Sequence, residues 1–357
     1  MALIAGVVAG AGIDEADRAP ERRERPERPL QRRPPPVDRL SLRQQVGQLL
    51  ITSFPGARAP DYVRRRLRDA EGAGVVLFGA NTATREDLRR LTRTLQRSAR
   101  GSALVAVDQE GGPIRNVGFA GPEQSQPRQS DPRAAAREAG RGLRALGVNV
   151  TLAPVADAPG PGSVVAGRAF SADPARSVGE AVSGYARTGV GATAKHFPGL
   201  GAARQNTDDA AVAIERSAAE LSRRDLPPFR SAIGAGAPLV MASHALYPAL
   251  DRRRIASQSP AVLGALLRRR LGFRGVVITD SIEAEAVIGR QAVEVAAERS
   301  VAAGCDLILM TGSGSPKLVY PRLLRAARRS SSFRARVRES AARVLALKRR
   351  LRLRAPR

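Results

Sequence analysis

The chain of 357 residues contains no tryptophan, one cysteine, two histidines and three lysines. Each scarcity excludes something. A lone cysteine, Cys305, forbids an intramolecular disulfide, and its small and apolar neighbours mark a buried hydrophobe, not a nucleophile. The sequence offers no Cys/His metal cluster, so no metal or organic cofactor is implied. Aromatic residues make up 3% of the chain, which leaves few platforms for stacking bases or sugars. A Gly-x-x-x-x-Gly-Lys-[Ser/Thr] phosphate loop and a Gly-x-Ser-x-Gly nucleophile elbow are both missing.

What the chain has in excess is arginine. The formal net charge is +26, and all but three of the 59 basic residues are arginine. Such a charge suits nucleic acid or an anionic surface. The arginines are spread along the chain and are not interleaved with aromatics, which favours solvated helix faces. No nucleic-acid partner is therefore expected, and association with an anionic cell envelope stands as a secondary expectation. Residues 2–13 are apolar and small, like a signal-peptide core, but no basic residues precede them. Export with a truncated leader and a cytoplasmic protein with an idle terminus both fit. The rest of segment 1–38 is rich in Arg, Pro and Glu and reads as a disordered linker.

From Leu40 onward, short apolar runs alternate with arginine-rich amphipathic stretches. Eight runs read as strands: 47–53, 74–78, 103–108, 149–154, 192–196, 238–244, 275–280 and 306–310. Near-continuous apolar strands separated by helices indicate βα units, and eight of them over about 310 residues indicate an α/β fold, a (β/α)8 TIM-type barrel spanning 39–357. A doubly wound sheet is the alternative, weakened by the lack of Gly-x-Gly-x-x-Gly after the first strand. Ser259-Pro260 and Gly272 bracket one helix. Phe333, Val337, Ala341, Val344 and Leu351 recur at helical spacing and predict a covering helix at the end.

In such a barrel the chemistry lies at the C-terminal ends of the strands. Those ends carry Asp108-Gln109-Glu110-Gly111-Gly112, then Asp157 with Arg168 in the following loop, Lys195-His196, Ser243-His244, and Thr279-Asp280-Ser281. Helix caps and loop braces would explain any one of them. A ring of polar strand ends is better explained as a site. The inventory suggests carboxylate chemistry of the glycoside-hydrolysing kind, which needs a nucleophile or base and an acid for the leaving oxygen. Asp280, on a strand end, suits the nucleophile. Asp208 or Asp209, on a loop, suits an acid that moves in after binding, and two adjacent carboxylates raise one pKa.

Four ordered motifs carry a resemblance to glycoside hydrolase family 3, in its single-domain β-N-acetylglucosaminidase branch: Asp108-Gln109-Glu110-Gly111-Gly112, Lys195-His196-Phe197-Pro198-Gly199, Met241-Ala242-Ser243-His244 and Gly275-Val276-Val277-Ile278-Thr279-Asp280. The resemblance implies a retaining exo-β-glycosidase acting on terminal N-acetylglucosamine of cell-wall-derived or related glycans. It places Asp280 as nucleophile and Asp108, Arg168, Lys195 and His196 on the sugar hydroxyls, with His244 on the same rim. The branch's Asp-x-His acid/base pair falls on Asn206 and Asp208. Here the chain departs from the pattern, since Asp208 stands for the histidine and Asn206 for its orienting aspartate. Leu200 replaces a second usual histidine, and Pro113 a usual arginine. Two readings follow: Asp208 serves as a carboxylic acid, or the barrel binds sugar with little or no catalysis. A β-glucosidase-type member of the same family is a further alternative.

Overall fold

The computed structural model describes residues 35–312 and 314–356. The signal-like start and the linker expected before residue 35 lie outside the described residues. Eight strands, β1 (Leu50–Thr52), β2 (Gly74–Leu77), β3 (Leu104–Val107), β4 (Val150–Thr151), β5 (Gly191–Phe197), β6 (Leu239–Ala242), β7 (Val276–Ser281) and β8 (Leu307–Met310), form a closed parallel barrel. Each strand pairs with its sequence neighbours, and β8 closes on β1 through Leu50↔Ile308, Ile51↔Leu309 and Thr52↔Met310. The doubly wound alternative is thereby excluded.

All eight expected strands are present with shifted ends; the largest differences are at β4, which spans Val150–Thr151 and not 149–154, and at the start of β1. Residues 47–49 do not begin β1. A helix, Leu42–Gly47, started by a reciprocal capping box of Ser41 and Gln44, ends there, and Gln48 and Leu49 form the turn into β1. Gly47 then lies so close to the Glu71 backbone that a Cβ would come within 2.3 Å.

Strand alternation sorts the side chains into two layers. Val76, Ile51, Leu104, Met241, Val276, Ile278 and Leu309 fill the barrel interior. Val75, Leu77, Val105, Val240, Val277 and Ile308 face the surrounding helices. The helix Ala261–Arg270 starts as the sequence predicts, with the Val262 amide donating to Ser259 Oγ at 3.2 Å, and stops before Gly272 at φ +70°. The covering helix, Ser331–Arg350, buries Val337, Ala341 and Val344 as its period predicts. Val344, Leu347 and Leu351 join the interior cluster, closing the end opposite the strands' C-termini. Asp306, fully buried ahead of β8, accepts from Arg268 at 2.5 Å, Arg343 at 3.2 Å and Arg336, and from the Val277 amide at 2.9 Å. One carboxylate thus ties two helices to two strands.

The covering helix also buries Lys348, whose Nζ donates to Gln48 Oε1 at 2.6 Å. Burial pulls this ammonium down to about 7. The unfolded chain therefore binds the extra proton between about pH 7 and the ordinary lysine value of 10.5. Stability attributable to Lys348 rises with pH across that window, by at most about 1.4 kcal/mol per pH unit. Denaturant titrations at pH 7, 8 and 9 are expected to show this slope in the wild type and a flatter one in Lys348→Met. Identical slopes would place a compensating anion beside the lysine.

Candidate active site

The parity that fills the barrel with apolar residues also delivers the site. On β7, Val276 and Ile278 point inward, and the next residue of that parity is Asp280. On β5 the outward-facing Ala192 and Ala194 alternate with Thr193 and Lys195. The Lys195–His196 peptide is cis.

Lys195 is almost fully buried and lies 2.6 Å from both Asp108 Oδ1 and Glu110 Oε1. Arg168 grips Glu110 bidentately, Nη2 to Oε1 at 2.8 Å and Nε to Oε2 at 3.0 Å. Burial alone would raise the Glu110 carboxyl, but Lys195 and Arg168 outweigh it and bring it to about 2. Burial likewise opposes the Lys195 charge, and Asp108 and Glu110 reverse that, raising its pKa. Glu110, Arg168 and Lys195 are therefore charged at neutral pH. Asp108 keeps its second oxygen and partial exposure, so it can accept a ligand hydroxyl.

His196 is held by Asp157, itself fully buried in the loop that follows β4. Asp157 Oδ2 lies 2.8 Å from His196 Nδ1, and Oδ1 accepts the His196 amide at 3.1 Å and the Leu200 amide at 2.6 Å. With Nδ1 engaged by Asp157, Nε2 is the ring nitrogen that faces the site. Nε2 stands 3.8 Å from Asp280 Oδ2. The turn after His196 needs Gly199, at φ +134°, where a Cβ would come within 2.6 Å of Asp225 Cβ. His244 is buried, with Nδ1 2.8 Å from Ser257 Oγ, and burial lowers its pKa. Burial pushes Asp280 up, but His196, His244 and Lys195 more than offset it and hold the carboxyl below its ordinary value. Its Oδ1 accepts the Ser281 amide at 2.8 Å.

Asp208 sits on the accessible side of the rim. Asn206 Nδ2 donates to its Oδ2 at 3.0 Å, and its own amide donates back to Asn206 Oδ1 at 3.3 Å. The loop is tied to the turn that follows Asp280: the Glu285 amide donates to Asp208 O and the Ala286 amide to Thr207 O, both at 3.1 Å. Lost hydration at this contact, and then the charge of Asp280, raise the Asp208 carboxyl. Asp209 is exposed and, among the described residues, has no side-chain partner.

The structure brings Asp108, Arg168, Lys195, His196 and Asp280 into one set of contacts, with Asp208 close enough to feel Asp280. Asn206 contacts Asp208. Two residues not singled out as site residues from the sequence complete the set. Glu110 is the hub joining Lys195 to Arg168; its two-residue offset from Asp108 was the available signal. Asp157 orients His196, across 39 positions of sequence that no short motif bridges.

A closed parallel barrel with carboxylates at its C-terminal rim is an enzyme architecture suited to carboxylate chemistry such as glycoside hydrolysis. The family model "Glycosyl hydrolase family 3 N terminal domain" matches residues 41–347, and the chain belongs to this family as a glycoside hydrolase. It is 36% identical over 284 residues to the beta-hexosaminidase of Xylella fastidiosa (strain M12), covering 74% of this chain and 83% of that one. Among solved structures, it superposes on a family 3 β-N-acetylglucosaminidase from Paenibacillus sp. str. FPU-7 with TM-score 0.81 and 34% identity, over 88% of this chain and 63% of that one. For the β-N-acetylhexosaminidase of Beutenbergia cavernae DSM 12333 the TM-score is 0.77 and the identity 30%, over 87% and 98%.

Proposed function

We propose that this glycoside hydrolase removes terminal β-linked N-acetylglucosamine by double displacement, with glycans derived from cell walls as its source of substrate. The observation that carries the reading is the pair of opposed carboxyl environments on one rim, with Asp280 held ionised and Asp208 raised. An Asp280 oxygen attacks the anomeric carbon while the bond to the leaving oxygen breaks and Asp208 gives that oxygen its proton. Water then adds to the anomeric carbon, Asp208 takes the water's proton, and Asp280 is released. Asp108, Lys195, Arg168 and His196 grip the sugar's hydroxyls, His244 lines the rim, and Asn206 orients Asp208. The names of the relatives support the amino sugar.

The test compares turnover of 4-nitrophenyl β-N-acetylglucosaminide and β-glucoside. Preference for the first is expected. Preference for the glucoside would move the enzyme to the glucosidase type, and sugar binding without turnover of either would leave a binding barrel.

A further inference from the structure

Two concave spaces lie beside the site, and the second is lined in part by the segments that follow β6 and β7. One, of about 540 Å³, is lined by Arg325 and Arg329 of the helix Ser315–Arg329. The other, of about 610 Å³, is lined by Arg253 and Arg254 of the arm Asp251–Ile255, by Arg290, and by Arg299 of the helix Val293–Ala303. The two spaces meet at Ala302, which lines both. All six arginines are exposed, and among the described residues none has a carboxylate partner. Glu298 is the sole acidic residue lining either space, and Arg322 already neutralises it.

We infer that this double groove binds a linear phosphate-bearing polyanion through its backbone charges. Guanidinium groups suit phosphate because their fork matches two of its oxygens. Arginines from separate elements converge along one path, which an even scatter on solvated helices does not require. A concave path suits a chain and keeps a flat membrane off most of these side chains. Phe333 is the one aromatic residue in the lining, so bases would find little stacking surface. The proposal is independent of the glycosidase reading, since none of the six arginines is bonded to the residues that surround Asp280.

The experiment measures binding of long-chain inorganic polyphosphate to the full chain, the probe labelled at one end. The quadruple variant R290A/R299A/R325A/R329A is set against R89A/R93A/R97A/R141A, which removes the same charge from exposed positions elsewhere. Binding is expected to weaken about 10³-fold between 50 and 200 mM salt if some six phosphates are neutralised. The groove variant is expected to lose at least tenfold in affinity and the control less than about twofold, with turnover of the nitrophenyl sugar unchanged in both. A dT30 strand binding no tighter per phosphate supports recognition of the backbone alone. Equal losses in the two variants, or no polyphosphate binding by the wild type, would overturn the proposal. So would binding of dT30 without polyphosphate, which means base recognition, or of phosphatidylglycerol vesicles without polyphosphate, which means a membrane surface.

Discussion

Asp280→Asn is expected to lower kcat/KM by about 10³-fold or more, some 4 kcal/mol of lost transition-state stabilisation. The substitution is nearly isosteric. The amide oxygen can still accept from the Ser281 amide, the contact that fixes the side chain's direction. The fold should therefore survive, with a thermal midpoint close to that of the wild type, and the loss is chemical. An amide cannot form the glycosyl ester, so the wild type should yield a covalent adduct by intact mass under rapid quench and the variant none. The surrounding groups sharpen the expectation. Burial would keep Asp280 protonated to higher pH, but His196, His244 and Lys195 lower its pKa below the ordinary 3.8. The nucleophile must be ionised, so activity falls as pH drops through that lowered value, and the acid limb of the profile lies below 3.8. A variant retaining a tenth of wild-type turnover would move the nucleophile to another carboxylate.

The sequence revealed the barrel because parallel strands buried on both faces must be apolar throughout, and eight such runs survive an arginine-rich background. It revealed the strand-end residues for the same reason: a charge that ends an apolar run is conspicuous. The start of β1 was less legible. Val46, Leu49 and Leu50 make one apolar stretch, and its first part belongs to the helix that Ser41 and Gln44 start. Asp157 and Ser257 were illegible as partners because they act through contacts formed by folding, with His196 across 39 positions and with His244 across 13. Lys348 reads as one more solvated base of the last helix. Only the position of that helix across the barrel end buries it.

The acid/base substitution makes the second large prediction. Asp208→Asn is expected to reduce turnover of a natural N-acetylglucosamine disaccharide by about 10²–10⁴-fold, the usual contribution of general acid catalysis. The loss on the 4-nitrophenyl glycoside should be less than about tenfold, because nitrophenolate leaves without a proton. A structural lesion would depress both substrates alike, so the ratio between them is the readout. The pH profile gives a second sign. Lost hydration and the Asp280 charge raise the Asp208 carboxyl above its ordinary 3.8, so more of it is protonated at a given pH. Activity on the disaccharide then falls as pH rises through that raised value, and this alkaline limb should vanish in Asp208→Asn. The double variant N206D/D208H rebuilds the Asp-x-His pair of the family pattern. It is expected to carry the alkaline limb upward toward the histidine range near 6.5. Asp209 is exposed one residue further on, and Asp209→Asn tests it directly. If that variant shows the leaving-group dependence and Asp208→Asn does not, the proton comes from Asp209, and the contact between Asn206 and Asp208 is a loop brace.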